Sequence, residues 1–420
     1  MSVPMISLVA LLFAILVSVV FSSLNIGALA IGLSLIVGHY FGGLKVDAIL
    51  KGFPTNLFIL LAGTTYLFSI ASANGTLEKL TAFAIRAVRG RAALLPIVLF
   101  FLAFGLSAMG PGQITTSALL AGPAMLLAEQ VGISPLLMAL VVGNGAQAGA
   151  MSPIAPPGII SASILAKIGL TGVGGWLWLN MLIVHFVATV IAYFLFGGLK
   201  LWRAAPDAQA HLLARKVEPF DRKQIATLLA IAVLIGLVLG VKLDLGLGAF
   251  AIGSLLVLFK AADEGKAIKG MPWNTILMVT GVTVLVNLMS DVGGMELFAK
   301  LIAAMSNAST VTLVAGFWSG LVSAYASTTG VILPMFLPMA PSLLKQVGGT
   351  DLLPLVSSII VCGFIVDLSP LSTTGAVFIS NAGPKADKNK LFRDMLIWGL
   401  SMSVVGAVTS WIAFTLLRLP

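Results

Sequence analysis

The sequence predicts an all-α polytopic membrane protein: two inverted repeats of five crossings, each with a re-entrant hairpin and a broken helix. Three observations lead there. Of 420 residues, 59% are hydrophobic and 9% charged, and the mean hydropathy is +1.09, which leaves too little polar surface to cover a water-soluble domain. Apolar runs reach the roughly 20 residues a helix needs to cross about 30 Å of hydrocarbon, and the short alternating segments of a barrel are missing. Finally, the order of long and broken apolar segments occurs twice.

In chain order, simple crossings fall near 4–22, 25–43 and 56–73. The first has no basic residue ahead of its apolar run and reads as a membrane helix, not a cleaved signal. "LEKLTAFAIRAVRGR" from Leu77 has amphipathic helical spacing and is predicted to lie along the interface. Residues 92–131 are too long for one crossing, 134–168 are broken, and 176–200 cross simply. A polar linker, 201–223, follows. Then 224–241, 246–260 and 274–290 cross, "MELFAKLIAAM" lies on a face, 309–347 are again too long, 351–381 again broken, and 394–416 cross. The domains are therefore 1–200, the linker 201–223, and 224–420.

The repetition holds at residue level. "NLFILLAGTTYLFSIASANGTLEKL" from Asn56 matches "NTILMVTGVTVLVNLMSDVGGMELF" from Asn274, pairing Gly63 with Gly281, Thr65 with Thr283, Gly75 with Gly293 and Glu78 with Glu296. Pro123 pairs with Pro338, and "MSPIAPPG" (151–158) with "LSPLSTTG" (368–375). If each long segment enters and leaves on one side, each half crosses five times. The second half is then upside down, as in secondary transporters whose sites form where matching broken helices meet.

Charge sets the orientation. Lys79, Arg86, Arg89, Arg91, Lys200, Arg203, Arg215, Lys216, Arg222, Lys223, Lys260, Lys266, Lys269, Lys385, Lys388, Lys390 and Arg393 fall on one side. They are 17 of the 24 basic residues, so that side is cytoplasmic and both termini face outward. The formal charge of +9 thus reflects cytoplasmic loops, and no nucleic-acid partner is predicted.

Four interruptions could carry function: the hairpin tips "SAMGPGQITTSA" (107–118) and "SAYASTTGVILP" (323–334), and the two breaks. Unwound backbone at membrane depth is tolerated only inside protein or beside an aqueous cavity. A single break reads equally well as helix packing; four at equivalent places point to a binding site. Half-helix N-termini after the breaks would aim N–H groups and positive dipole ends at an anion. Carbonyls and hydroxyls would offer hard oxygen ligands to a cation. Neither tip carries Arg, Lys, Asp or Glu, so a co-bound cation would offset the substrate's charge. Asp367 is the candidate for a proton or cation role, its alternative being a carboxylate that caps donors beside the break. His185 is expected to be a packed or hydrogen-bonded histidine, and Glu129 and Asp394 to face water. No Cys/His metal cluster, phosphate loop or nucleophile motif is present, so no enzyme is predicted. The single Cys362 allows no internal disulfide.

"SAMGPGQITT" followed by "GAMSPIAPPG" resembles the hairpin tip and broken helix of the divalent anion–sodium symporter family of the ion-transporter superfamily. "YASTTG" and "LSPLSTTG" resemble its second tip and break. The likeness covers both halves and looks closest to the malonate and dicarboxylate carrier branch. It implies a homodimer in the inner (plasma) membrane, with a scaffold and a moving transport domain that work by elevator-type alternating access. It also implies two sodium sites and no organic cofactor. The first site would be carried by Gly110, Gly112 and Gln113 with Ser152, and the second by Ser327, Thr328 and Gly330 with Ser372. Gln113, Thr115, Thr328, Thr329, Pro370, Thr373 and Thr374 would meet the substrate. The sequence departs from the family where its tip Asn becomes Gly112 and Thr328, where the first break is one residue short, and in a shorter N-terminus.

The function expected is cation-coupled import, sodium being the expected ion, of a small dicarboxylate such as malonate or a four-carbon acid. Alternatives are proton-coupled transport or sodium/proton antiport of the same superfamily, and then an anion channel, which would need rings of charge or carbonyls along a continuous pore.

Overall fold

A computed structural model describes residues 1–420 except 22–23, 88–91, 204–217, 242, 384 and 420. The described residues form 21 α-helices and no strand. The first half runs through α1 (Val3–Val20), α2 (Ile26–Leu35), α3 (Val46–Lys51), α4 (Thr55–Ala73) and α5 (Thr76–Ala87). It continues with α6 (Leu95–Ala108), α7 (Gly112–Val131), α8 (Pro135–Gly149), α9 (Pro156–Lys167), α10 (Gly174–Leu195) and α11 (Gly198–Arg203). The second half repeats the order as α12 (Arg222–Val241), α13 (Leu245–Leu258), α14 (Glu264–Gly270), α15 (Trp273–Asp291) and α16 (Gly294–Ala303). Then come α17 (Val311–Ser323), a π-turn (Thr328–Ile332), α18 (Leu333–Gln346), α19 (Leu352–Val366), α20 (Thr373–Ser380) and α21 (Lys388–Ser410).

Both long segments split into two helices at the predicted tips, and both broken segments open at the predicted breaks. Local chemistry sets these boundaries. Asn25, Ser134, Asp351 and Asp387 cap the N-termini of α2, α8, α19 and α21 with side-chain oxygens. α7 ends at Gly132, whose φ of 75° is left-handed. α8 has 15 residues, about 22 Å at 1.5 Å per residue, which is short of the roughly 30 Å needed to cross the hydrocarbon. Among the described residues five helices are long and apolar enough to span a membrane by length and composition, including α4, α10 and α15. α7 is another, although the sequence assigns it to one arm of a hairpin. The linker is outside the described residues over 204–217, including Arg215 and Lys216.

The duplication is visible in contacts. α2 packs on α15 of the other half, and α13 on α4. Within each half α6 lies on α8 and α8 on α10, as α17 lies on α19 and α19 on α21. Glycines fix the exchanged crossings. A Cβ at Gly63 would overlap the Gly246 carbonyl of α13, and one at Gly281 would overlap the Gly27 carbonyl of α2. Gly75 and Gly293 hold matching φ of 77° and 82°. Thr65 and Thr283 donate to carbonyls one turn back, Leu61 O at 2.6 Å and Val279 O at 2.7 Å. Large apolar side chains such as Leu16, Phe186, Phe194 and Val404 are exposed along the outside, where lipid would cover them.

Candidate functional site

The first tip is built on two left-handed glycines, Gly110 (φ 140°) and Gly112 (φ 72°), either side of Pro111. Both positions are closely packed. A Cβ on Gly110 would strike the Phe68 ring of α4, and one on Gly112 would sit 2.9 Å from Pro156 Cδ at the first break. Behind the tip, buried Gln113 donates through Nε2 to Thr329 Oγ1 at 2.7 Å. That bond joins the two tips across the repeats.

The second tip is held from below. Ser327 Oγ accepts the Gly330 N–H at 3.2 Å. Thr328 Oγ1 lies 2.6 Å from Ser323 Oγ and donates to the Gly363 carbonyl of α19 at 3.0 Å. The Thr328 hydroxyl is therefore committed to α19, and only its backbone N–H turns toward the second break, approaching the Asp367 carboxylate. A Cβ on Gly330 would collide with Met278.

The two breaks share a backbone plan and differ in chemistry. In each, a serine carbonyl occupies the space a glycine Cβ would need, Ser152 under Gly158 and Ser369 under Gly375. After the second break, Ser372 Oγ accepts the Gly375 N–H at 3.2 Å and donates to the Asp367 and Ser369 carbonyls at 2.5 and 2.9 Å. Thr373 and Thr374 open α20, and their N–H groups have no acceptor among the described residues. Thr373 is exposed and Pro370 buried. After the first break the same places hold Pro156 and Pro157, which have no N–H to offer, and the next donor, Gly158 N, is spent on the Ala150 carbonyl at 3.2 Å. The expectation that both half-helices present N–H groups is corrected: only α20 does.

Asp367 is buried at 2% exposure. Its Oδ2 accepts from Thr374 Oγ1 at 3.1 Å and from Gln147 Nε2 of α8 at 3.2 Å. A Cβ on Gly143, one turn before Gln147, would meet Leu368 beside Asp367. The first half's broken helix thus touches the second break, which touches the second tip, which touches the first tip, which touches the first break. All four interruptions converge. Ser152 is buried next to this ring. Thr115 is set apart: it lines a cavity of about 160 Å³ with Thr65, Ser69, Ser72 and Lys266.

Gln147 was not singled out from the sequence, although "NGAQAGAMSP" carried the signal, since Asn144 and Gln147 are amides one turn apart in an apolar helix. Asn144 Oδ1 lies 2.9 Å from His185 Nδ1, so His185 is a hydrogen-bonded core histidine, as expected. Glu129 Oε2 accepts the Lys385 N–H at 3.2 Å, and Asp394 pairs with Lys390 at 2.6 Å. No group of three or more His, Cys, Asp or Glu that could hold a metal occurs among the described residues.

Residues 1–150 match the family model of the dicarboxylate carrier protein MatC N-terminus, and residues 237–419 match that of citrate transporters. Both halves thus contain a segment that matches a carboxylate-transporter family model. The fold of this transporter is also that of the Alcanivorax borkumensis YdaH transporter crystal structure, with TM-score 0.56, 15% identity and 90% of each chain covered. No curated protein matches the chain. The carrier is thus a multi-pass membrane protein for secondary transport of carboxylates, and it is no enzyme.

Proposed function

We propose that the protein imports a small dicarboxylate, malonate or a four-carbon acid, together with a cation, by elevator-type alternating access. The observation that carries the reading is the ring of contacts joining both tips and both breaks, centred on Gln113–Thr329 and Gln147–Asp367. The carboxylate would sit before α20. There the N–H groups of Thr373 and Thr374, the positive end of the helix and the exposed Thr373 hydroxyl converge on one side. The tips and broken helices would move as a body against a scaffold of α1–α5 and α12–α16, in a homodimer in the inner membrane with both termini outside. Contacts favour two opposed faces. Lys79 Nζ reaches the Pro219 carbonyl at 3.0 Å, and Glu129 meets Lys385. Trp411 Nε1 reaches the Ser309 carbonyl at 2.6 Å, and Asn287 Nδ2 the Gly52 carbonyl at 2.7 Å. The first pairs lie among the basic loops, and the second pairs do not.

One observation favours a second reading, proton coupling: Asp367 is a buried carboxylate with no ion pair among the described residues. Uptake of labelled malonate, succinate and citrate into proteoliposomes, with sodium and proton gradients imposed separately, tests both. Sodium-driven uptake of malonate or succinate is expected. Uptake of none of the three under either gradient overturns the function.

A further inference from the structure

The repeats share a backbone plan and differ beside the first tip. Their match extends to "LKGFPTN" (50–56) and "IKGMPWN" (268–274). At the offset that pairs Asn56 with Asn274, Gly52 answers to Gly270, Ser69 to Asn287 and Ala48 to Lys266. Where α3 meets α15, Asn287 Nδ2 closes the junction by donating to the Gly52 carbonyl at 2.7 Å. Where α14 meets α4, the shorter Ser69 makes no such bond, and its Oγ lies 4.0 Å from the place a Cβ of Gly270 would take. The cavity of about 160 Å³ opens there, lined by Ser69, Lys266 and Gly270 together with Pro111 and Thr115 of the first tip. Two of its other hydroxyls are committed, Thr65 to the Leu61 carbonyl at 2.6 Å and Ser72 to Glu78 Oε1 at 3.1 Å. The acids beside Lys266 are committed as well. Glu264 accepts the Tyr66 hydroxyl at 2.8 Å, and Asp263 Oδ1 accepts the Lys266 backbone N–H at 2.8 Å. Among the described residues the Ser69 and Thr115 hydroxyls have no hydrogen-bond partner and the Lys266 ammonium no ion pair. A cation and two hydroxyl donors around one cavity are the complement of an oxyanion.

We propose that this cavity is a second carboxylate site, where Lys266 and the hydroxyls of Ser69 and Thr115 hold one carboxylate group of a small anion, and that the other repeat has no equivalent. The identity of the anion rests on the transport reading above. The volume is below the roughly 300 Å³ at which drug-sized sites begin, so it suits an anion of a few heavy atoms. At the equivalent place Ala48 supplies no charge and the Asn287–Gly52 bond spans the junction. The site is separate from the N–H groups of Thr373 and Thr374. An anion held there would touch the first tip and the helices α4 and α14 together, on the face that carries Lys266 and Lys269, as a station for cargo between the tips and the cytoplasm.

The test is equilibrium binding of ¹⁴C-malonate to the purified carrier in detergent. Wild type should show two classes of site. Lys266→Gln keeps most of the side chain and removes its charge. It should weaken the looser class about tenfold or more, the usual loss with a charged hydrogen-bond partner, and leave the tighter class unchanged. Thr373→Val should do the reverse. Ser69→Asn copies the other repeat and should remove the looser class, while melting temperature and elution as a single species stay as in wild type. Lys269→Gln, on the same helix but not lining the cavity, should bind as wild type. A single class of site in wild type overturns the proposal, as does an unchanged looser class in Lys266→Gln. Equal weakening by Lys269→Gln also overturns it, since the general charge of that face would then hold the anion. If only the class sensitive to Thr373→Val exists, the transport reading stands and this site falls. Two classes without uptake under either gradient would keep this site and remove the transport reading.

Discussion

Thr373 and Thr374 are adjacent hydroxyls with opposite duties. Thr374 is buried and spends its proton on Asp367 at 3.1 Å, while Thr373 is exposed and has no partner. Removing Thr373's hydroxyl should therefore cost substrate binding and little stability. A hydrogen bond to a charged partner contributes about 1.5–3 kcal/mol, so Thr373→Val should lose roughly tenfold to hundredfold in apparent affinity for the dicarboxylate, read from the concentration dependence of uptake. Thr374→Val should instead weaken sodium dependence, because it strips a donor from Asp367. The control must be a hydroxyl with no tertiary role. Thr312 is unsuitable, since its Oγ1 lies 2.6 Å from Thr415 Oγ1. Thr409 is exposed and bonds only carbonyls of its own helix, Val405 at 2.7 Å and Gly406 at 3.1 Å, so Thr409→Val should transport as wild type. Equal affinity in Thr373→Val and wild type would return that hydroxyl to helix packing.

Helices report on the repeat through their glycines. At Gly63 and Gly281 a methyl group would drive into the carbonyl of a facing helix, and backbone cannot yield as a flexible side chain can. Gly63→Ala and Gly281→Ala should each destabilise the protein by about 1–3 kcal/mol, the usual cost of overpacking, seen as a lower melting temperature in detergent. Gly236 of α12 meets open space, and Gly236→Ala should melt with wild type. If all three behave alike, the exchanged crossings do not depend on close approach. These crossings also show what the sequence can and cannot convey. Gly63/Gly281 and Gly75/Gly293 were legible because a glycine required for close approach or for left-handed φ leaves a mark at a fixed offset. The tips and breaks were legible for a related reason, as each gathers Gly or Pro with hydroxyl residues inside an otherwise apolar run. The exchange of α2 and α13 between halves was not legible, since apolar faces in lipid carry no code for their partner. Nor was Gln147 legible as a neighbour of Asp367, a contact 220 residues apart that exists only once the halves interlock. The donor-free first break could have been read from Pro156 and Pro157, yet repeat symmetry suggested otherwise.

For the whole molecule the decisive property is handedness in the membrane. An inverted repeat requires an odd number of crossings in each half, hence hairpins that enter and leave on one face. The contacts favour this. The loop before α6 is tied to the end of α10, where the Tyr193 hydroxyl meets the Ala93 carbonyl at 3.2 Å, and the end of α7 is tied to the loop before α21 through Glu129 and Lys385. With 17 of 24 basic residues along that face, it should be cytoplasmic. Single cysteines can be placed in a Cys362→Ser background, and Cys362 itself is buried. Positions 79 and 130 should then react with a membrane-impermeant maleimide only after permeabilisation, and 300 and 346 in intact cells. The pairs carry separate information. Labelling of 130 from outside while 79 stays protected would mean that the first hairpin crosses the membrane, and the inversion would fail. Labelling of 79 and 130 from outside with 300 and 346 protected would keep the inversion and reverse the orientation. In that case the cavity of Thr115 and Lys266 would open outward. Carboxylate would then reach the tips from the outer face past Lys266, and import would begin where the proposed scheme has it end.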